Sequence, residues 1–251
     1  MKLRFKHQKF QEDATNALCG VFSGQPNESR KFLLDQGEDK PGQSQMLINQ
    51  TGWANSEIHL REDDILKNLR GVQKEHKLVP NNRLEMLTSK VEWDDGGKQK
   101  VTKPVFTVEM ETGTGKTYTY IKTMYELNAR YGWSKFIIVV PSIAIREGVL
   151  KSFQITSDHF KEEYGKACRY FVYNSTRLNE LEQFADDPGI NVMIINTQAF
   201  NATGKDARRI YMKLDSFRSR RPIDVIASVN PIVIVDEPQS VLGVEGSKNV
   251  T

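Results

Sequence analysis

The sequence predicts an α/β protein with a mainly parallel β-sheet flanked by helices, preceded by an accessory insertion. Two observations carry this. Phe136–Val140 and Ile232–Val235 are continuous apolar runs, as expected of strands buried on both faces. Between and around them, strand-like and helix-like segments alternate, the order that builds parallel sheets. A third observation sets off the N-terminal part: residues 27–103 are polar and broken by turn signals at Gly37, Pro41-Gly42 and Asp94–Gly97.

The elements follow in order. Residues 10–22 form an amphipathic helix, with Ala14, Leu18, Val21 and Phe22 near one face. Ser23–Asn27, with its Gly and Pro, ends it. Within the insertion, Glu62–Val72 reads as a short helix. Lys90–Trp93 and Lys100–Thr102 read as hairpin arms around Asp95-Gly96-Gly97. From Pro104 the pattern becomes regular. Val105–Glu109 is predicted as a strand, Lys116 to about Arg130 as a helix and Phe136–Val140 as a strand. Ile143–Phe153 is predicted as a helix, Arg169–Tyr173 as a strand and Arg177–Ala185 as a helix. Asn191–Ile195 and Ile232–Val235 complete the strands. The chain therefore divides into an N-terminal helix (1–26), an insertion (27–103) and an α/β lobe (104–251).

With 38% hydrophobic and 27% charged residues, the composition is that of an ordinary globular chain. No apolar run is long enough to span a bilayer. The basic start, Met1–Lys6, lacks the apolar stretch of a secretory signal, and a cytoplasmic location is expected. Two cysteines, Cys19 and Cys168, and four scattered histidines suggest neither a disulfide nor a structural metal site. The net charge of +3 is too small to imply a polyanionic partner. Basic residues do cluster between Gly204 and Pro222: Lys205, Arg208, Arg209, Lys213, Arg218, Arg220 and Arg221. Such a cluster either neutralises phosphates or forms a solvated helix face.

The strongest motif is Glu111-Thr112-Gly113-Thr114-Gly115-Lys116-Thr117, placed between a predicted strand and a predicted helix. This is the setting of a P-loop. A triphosphate needs backbone N–H groups at a helix N-terminus. Gly113 and Gly115 allow the tight turn and the close approach. Lys116 offers a cation to the β- and γ-phosphates, and the Thr117 hydroxyl is a ligand for Mg²⁺. Thr112 and Thr114 complete the ATP-binding segment. Met110 stands where the full pattern begins with Gly.

The second motif is the Ile232–Val235 strand ending in Asp236-Glu237. Ligands of parallel sheets bind at the C-terminal strand ends. Asp236 is therefore expected near Thr117, holding Mg²⁺, and Glu237 is expected to orient or deprotonate the attacking water.

These motifs, with Val139–Gly148 and Asp236-Glu237-Pro238-Gln239, resemble the Res subunit of type III restriction endonucleases, within the superfamily-2 helicases and translocases. The early Phe10–Ala14 and Val21–Pro26 are similar to that family's opening helix. The resemblance implies a RecA-like lobe that binds ATP and Mg²⁺ and moves or switches on double-stranded DNA. It implies a methyltransferase subunit as the partner that recognises the site. Gln11 matches the glutamine that reads the adenine edge in such motors, against the alternative of an exposed polar residue. Ser142 and Arg146 match a segment that contacts the nucleic-acid backbone, against the alternative that Ser142 is only an N-cap. Thr197 and Gln198 match a further backbone contact. The motifs of the second lobe and of the nuclease are not found, so the chain reads as the first motor lobe of a larger subunit. A superfamily-2 helicase or type I restriction motor, and a non-motor P-loop regulatory module, are the alternatives.

Overall fold

The computed structural model describes residues 5–34, 37, 51–92, 98–200 and 209–241. In chain order the elements are α1 (Lys9–Gly20), β1 (Ser29–Leu33), β2 (Thr51–Asn55), α2 (Glu62–Glu75), β3 (Glu85–Glu92), β4 (Lys98–Val105) and α3 (Lys116–Tyr131). Then come β5 (Lys135–Val140), α4 (Ile143–Tyr164), β6 (Cys168–Val172), α5 (Asn179–Asp186), β7 (Ile190–Asn196), α6 (Pro222–Ser228), β8 (Ile232–Val235) and α7 (Pro238–Val241). Among the described residues, three short 3-10 turns lie between β7 and α6.

The chain forms two units. One comprises His7–Pro26 and Ile58–Thr123, and the other Met1–Lys6, Asn27–Glu57 and Met124–Thr251. The boundary falls inside α3.

The larger unit holds a four-stranded parallel sheet in the order β6-β7-β5-β8. Central β5 and β7 are buried almost throughout, which is why their sequences are continuous β-branched runs. The edge strands are only half-buried, and Val233 of β8 is 55% exposed. Beneath the sheet, Ile137, Met193 and Ile195 pack with Leu181 and Phe184 of α5 and with Val225 and Ile226 of α6. Helix α4 runs to Tyr164, well past the expected end at Phe153. Val149, Phe153, Thr156 and Phe160 continue one buried face, and the Thr156 hydroxyl is satisfied by the Ser152 carbonyl at 2.7 Å. Gly165, at φ 66°, closes the helix in the left-handed conformation.

A β1–β2 antiparallel hairpin, not expected from the sequence, also belongs to this unit. Asn55 ties it to β5: its side-chain oxygen accepts from the Ser134 and Lys135 N–H groups at 2.7 and 2.9 Å, and its amide donates to the Lys135 carbonyl at 2.8 Å. The Lys135 side chain is itself fully buried, its ammonium donating to the Asp187 carbonyl and lying 5.6 Å from the Phe184 ring. Burial pulls its pKa down to about 8.

The smaller unit contains α1, α2 and the β3–β4 hairpin, whose paired arms reach from Glu85 opposite Val105 to Glu92 opposite Lys98. The tip expected at Asp95–Gly97 lies outside the described residues, as do Pro41-Gly42, Lys205 and Arg208. The strand expected at Val105–Glu109 is not formed. Val105 ends β4, and 106–110 carry no strand pairing. The chain's strand pairing here ends with the hairpin ladder, and Val105 and Val108 remain exposed at 41% and 45%.

Candidate functional site

In the smaller unit, the loop before α3 turns on two glycines at φ 82° and 89°. A Cβ at Gly113 would meet nothing, so conformation alone calls for glycine there. At Gly115 space matters as well: a Cβ would lie 2.5 Å from the Gln11 amide nitrogen. That amide donates to the Thr114 carbonyl at 2.8 Å, bracing the loop from α1 across 103 positions of sequence. Thr114 closes the turn by donating from its hydroxyl to the Glu111 carbonyl at 2.7 Å. Lys116 and Thr117 open the helix, where the first N–H groups have no helical acceptor. Thr112 is exposed, and Lys116 and Thr117 are half-buried. Gln11 is thus no freely solvated helix residue, and it sits against the loop.

In the larger unit, Asp236 follows β8 and extends its ladder, its N–H donating to the Val139 carbonyl at 3.0 Å. Glu237 adopts φ 53°, a left-handed conformation that costs a non-glycine residue on the order of 1–3 kcal/mol. Its carboxylate accepts from the Gln239 amide, and its carbonyl accepts from Ser240 N–H at 2.9 Å. Both acidic side chains are half-buried at the C-terminal end of the strand.

The other candidates line the same C-terminal edge of the sheet. Ser142 caps α4, its hydroxyl accepting from Ile145 N–H at 3.3 Å. Arg146 is held by Glu147 at 2.8 Å and by the Asn196 side chain at 3.4 Å, which links the ends of β5 and β7. Thr197 and Gln198 form a 3-10 turn directly after β7, with Gln198 exposed.

The described members of the basic cluster do not share one helix face: Arg209 opens a 3-10 turn, Arg218 and Arg220 belong to a closed loop, and Arg221 is the N-cap residue of α6. Arg220 is 5% exposed, ion-paired to Glu182, with its guanidinium 4.1 Å from the Phe217 ring centre. Arg221 forms a two-pronged pair with Asp224 at 2.7 and 2.8 Å. Charge counting missed this division, because only tertiary partners separate structural arginines from available ones.

A family model described as "Type III restriction enzyme, res subunit" matches residues 66–238, a span that includes both motifs. The chain belongs to this family. Among curated members, it is 28% identical to the "Type III restriction-modification enzyme EcoP15I Res subunit" of Escherichia coli, over 74% of this chain and 19% of that one. It is 29% identical to the EcoPI Res subunit of Escherichia phage P1, over 73% and 19%. It is 34% identical to the StyLTI Res subunit of Salmonella typhimurium strain LT2, over 69% and 18%. The res-subunit sequence here thus spans about a fifth of the length of these relatives. No described helix of this family member is long and apolar enough to cross a membrane.

Proposed function

We propose that this chain is the ATP-binding first motor lobe of a type III Res subunit. It would couple ATP hydrolysis to translocation or switching on double-stranded DNA, before cleavage by a separate nuclease domain. The observation that supports this most is the glycine-turned loop at the start of α3, with Gly113 and Gly115 both at positive φ ahead of Lys116 and Thr117. The turn and the helix N-terminus together form a phosphate cradle. A methyltransferase subunit and a second motor lobe are the proposed partners.

The residue roles follow from their chemistry. Lys116 neutralises charge on the β- and γ-phosphates, and Gln11 is the adenine-reading amide. The Thr117 hydroxyl and the Asp236 carboxylate are hard oxygen donors suited to Mg²⁺, which takes such ligands together with phosphate oxygens and water. That ion would neutralise charge developing on the transferred phosphoryl group. Glu237 orients the attacking water and takes its proton. Ser142, Arg146, Thr197 and Gln198 are the proposed contacts to the DNA backbone.

Steady-state ATPase assays on the full-length subunit with its partner, with and without duplex DNA, test this reading. Lys116→Ala should abolish DNA-stimulated hydrolysis and weaken nucleotide binding. Undiminished turnover in that variant would sink the assignment.

A further inference from the structure

The loop 214–220 lies outside the ATP machinery, yet its conformation is costly. Arg218 and Ser219 are consecutive non-glycine residues at φ 55° and 58°. The loop is held closed at its base. Leu214 bridges Arg220 in antiparallel fashion, with Leu214 N–H donating to the Arg220 carbonyl at 3.2 Å and Ser219 N–H donating to the Leu214 carbonyl at 3.0 Å. Arg220 anchors it from inside through Phe217 and Glu182. Gly37 braces it from outside: a Cβ there would lie 2.1 Å from the Arg218 carbonyl oxygen. Strain of this kind persists only where the surrounding contacts over-determine it.

Arg218 lines a cleft of about 380 Å³. Leu178 and Phe217, both buried, contribute its apolar lining. Glu182 also lines it, but its carboxylate is engaged by Arg220. The Thr176 hydroxyl is committed to the Asn174 side chain at 2.8 Å. What remains is a set of donors: the Asn179 amide, the Ser216 hydroxyl and the Arg218 guanidinium. None of these three side chains has a hydrogen bond or ion pair to another described residue. An amide, a hydroxyl and an uncompensated guanidinium around one cleft suit a singly charged oxyanion.

The cleft's position selects the source of that anion. Thr176–Asn179 follow the C-terminal end of β6, Thr197-Gln198 follow β7, and Ser142 and Arg146 follow β5. In the sheet β6, β7 and β5 are successive neighbours. Strands two places apart lie roughly 10 Å from each other, so the three stations form a row along one edge. A row suits a polyanion better than a free ion. We propose that the Asn179–Ser216–Arg218 cleft seats a backbone phosphate of DNA, at the β6 end of a track along the C-terminal edge of the sheet. This rests on the reading of the chain as a DNA motor lobe.

The test is equilibrium binding of a fluorescent duplex to the full-length subunit with its partner, across a salt series. Each neutralised phosphate contributes about 0.9 to the slope of log K against log salt. Arg218→Ala should lower that slope by about 0.9 and weaken binding about 3- to 10-fold at low salt. Arg218→Lys should keep most of the slope. Arg218→Gly relieves the left-handed strain, so it should melt no lower than wild type yet lose the same slope as Arg218→Ala. An unchanged slope in Arg218→Ala and Arg218→Gly, with wild type binding salt-dependently, overturns the cleft and leaves the motor reading standing. No salt-dependent DNA binding by wild type overturns both. Weakened ATP or inorganic phosphate binding in Arg218→Ala, with an unchanged DNA slope, assigns the cleft to a small anion and also overturns the proposal.

Discussion

At the residue scale, the acidic pair and a buried lysine give separable expectations. Asp236 and Glu237 are adjacent, but their backbones differ. Asp236 continues a strand ladder, whereas Glu237 is turned into the left-handed region and its carboxylate accepts from Gln239. With the roles proposed above, Glu237→Gln should retain ATP and Mg²⁺ but slow turnover at least 100-fold, because an amide takes no proton from water. Asp236→Asn should instead raise the Mg²⁺ concentration needed for binding. Nucleotide titrations at several Mg²⁺ concentrations, set beside single-turnover hydrolysis, separate the two; equal loss of affinity in both would refute the division. Lys135 concerns stability. Its pKa falls from 10.5 when solvated to about 8 in the fold, chiefly through burial. Between those values the unfolded chain binds more protons than the folded one, so stability should rise as pH increases from about 8 to 10.5. Below that window the buried charge costs on the order of 3 kcal/mol. Lys135→Met should therefore flatten the pH dependence and raise the melting temperature at pH 7. Urea unfolding at pH 7 and pH 10 checks this; an unaltered pH slope would show that the ammonium is better solvated than its burial implies.

At the element scale, α4 joins capping to the proposed DNA track. Ser142 accepts from Ile145 N–H, a cap whose loss typically costs about 1 kcal/mol. Ser142→Asp should preserve the cap while placing a negative charge beside phosphate. Melting should be unchanged and duplex affinity should fall; unchanged affinity would leave Ser142 as a cap alone. The same helix shows what sequence patterns reveal and what they hide. Its start was legible from Pro141-Ser142, and β5, β7 and β8 were legible as apolar runs. Its end was not, because Ile155-Thr156-Ser157 are weak helix formers, and only the fold shows the Thr156 hydroxyl bonded to the Ser152 carbonyl. Hairpin β1–β2 was hidden for another reason. The residues of β1 are mostly exposed, and the contacts that tie β2 to the rest of the unit reach far along the chain, from Asn55 to Lys135 and to Val229. Val105–Glu109 misled in the opposite direction: its β-branched and aromatic residues favour a strand, yet only Val105 joins a ladder, as the last residue of β4.

At the scale of the whole molecule, candidate motifs written in contiguous residues are visible in the sequence, while groupings assembled from distant segments are not. The loop at 111–117 and the pair at 236–237 are short words in the sequence. The Arg218 cleft draws on the turn after β6, on α5 and on the 214–220 loop, and nothing in the run of basic residues distinguishes Arg218 from the buried Arg220. The sheet also ends in a manner that matters outside any active site. Strand β8 pairs only with β5 among the described strands, and Val233 stands 55% exposed. Unpaired backbone beside an apolar side chain is a template for edge-to-edge aggregation between molecules. The isolated 251-residue polypeptide should therefore be colloidally unstable as its concentration rises. Val233→Lys, a substitution of the kind that blunts natural edge strands, should lower its light scattering at high concentration and leave its circular dichroism unaltered. Equal scattering from both forms would place the sticky surface elsewhere. If the lysine works, a practical rule follows for handling this chain: the first residue to change for solubility is an edge valine, and the loops at 111–117 and 236–237 can be left as they are.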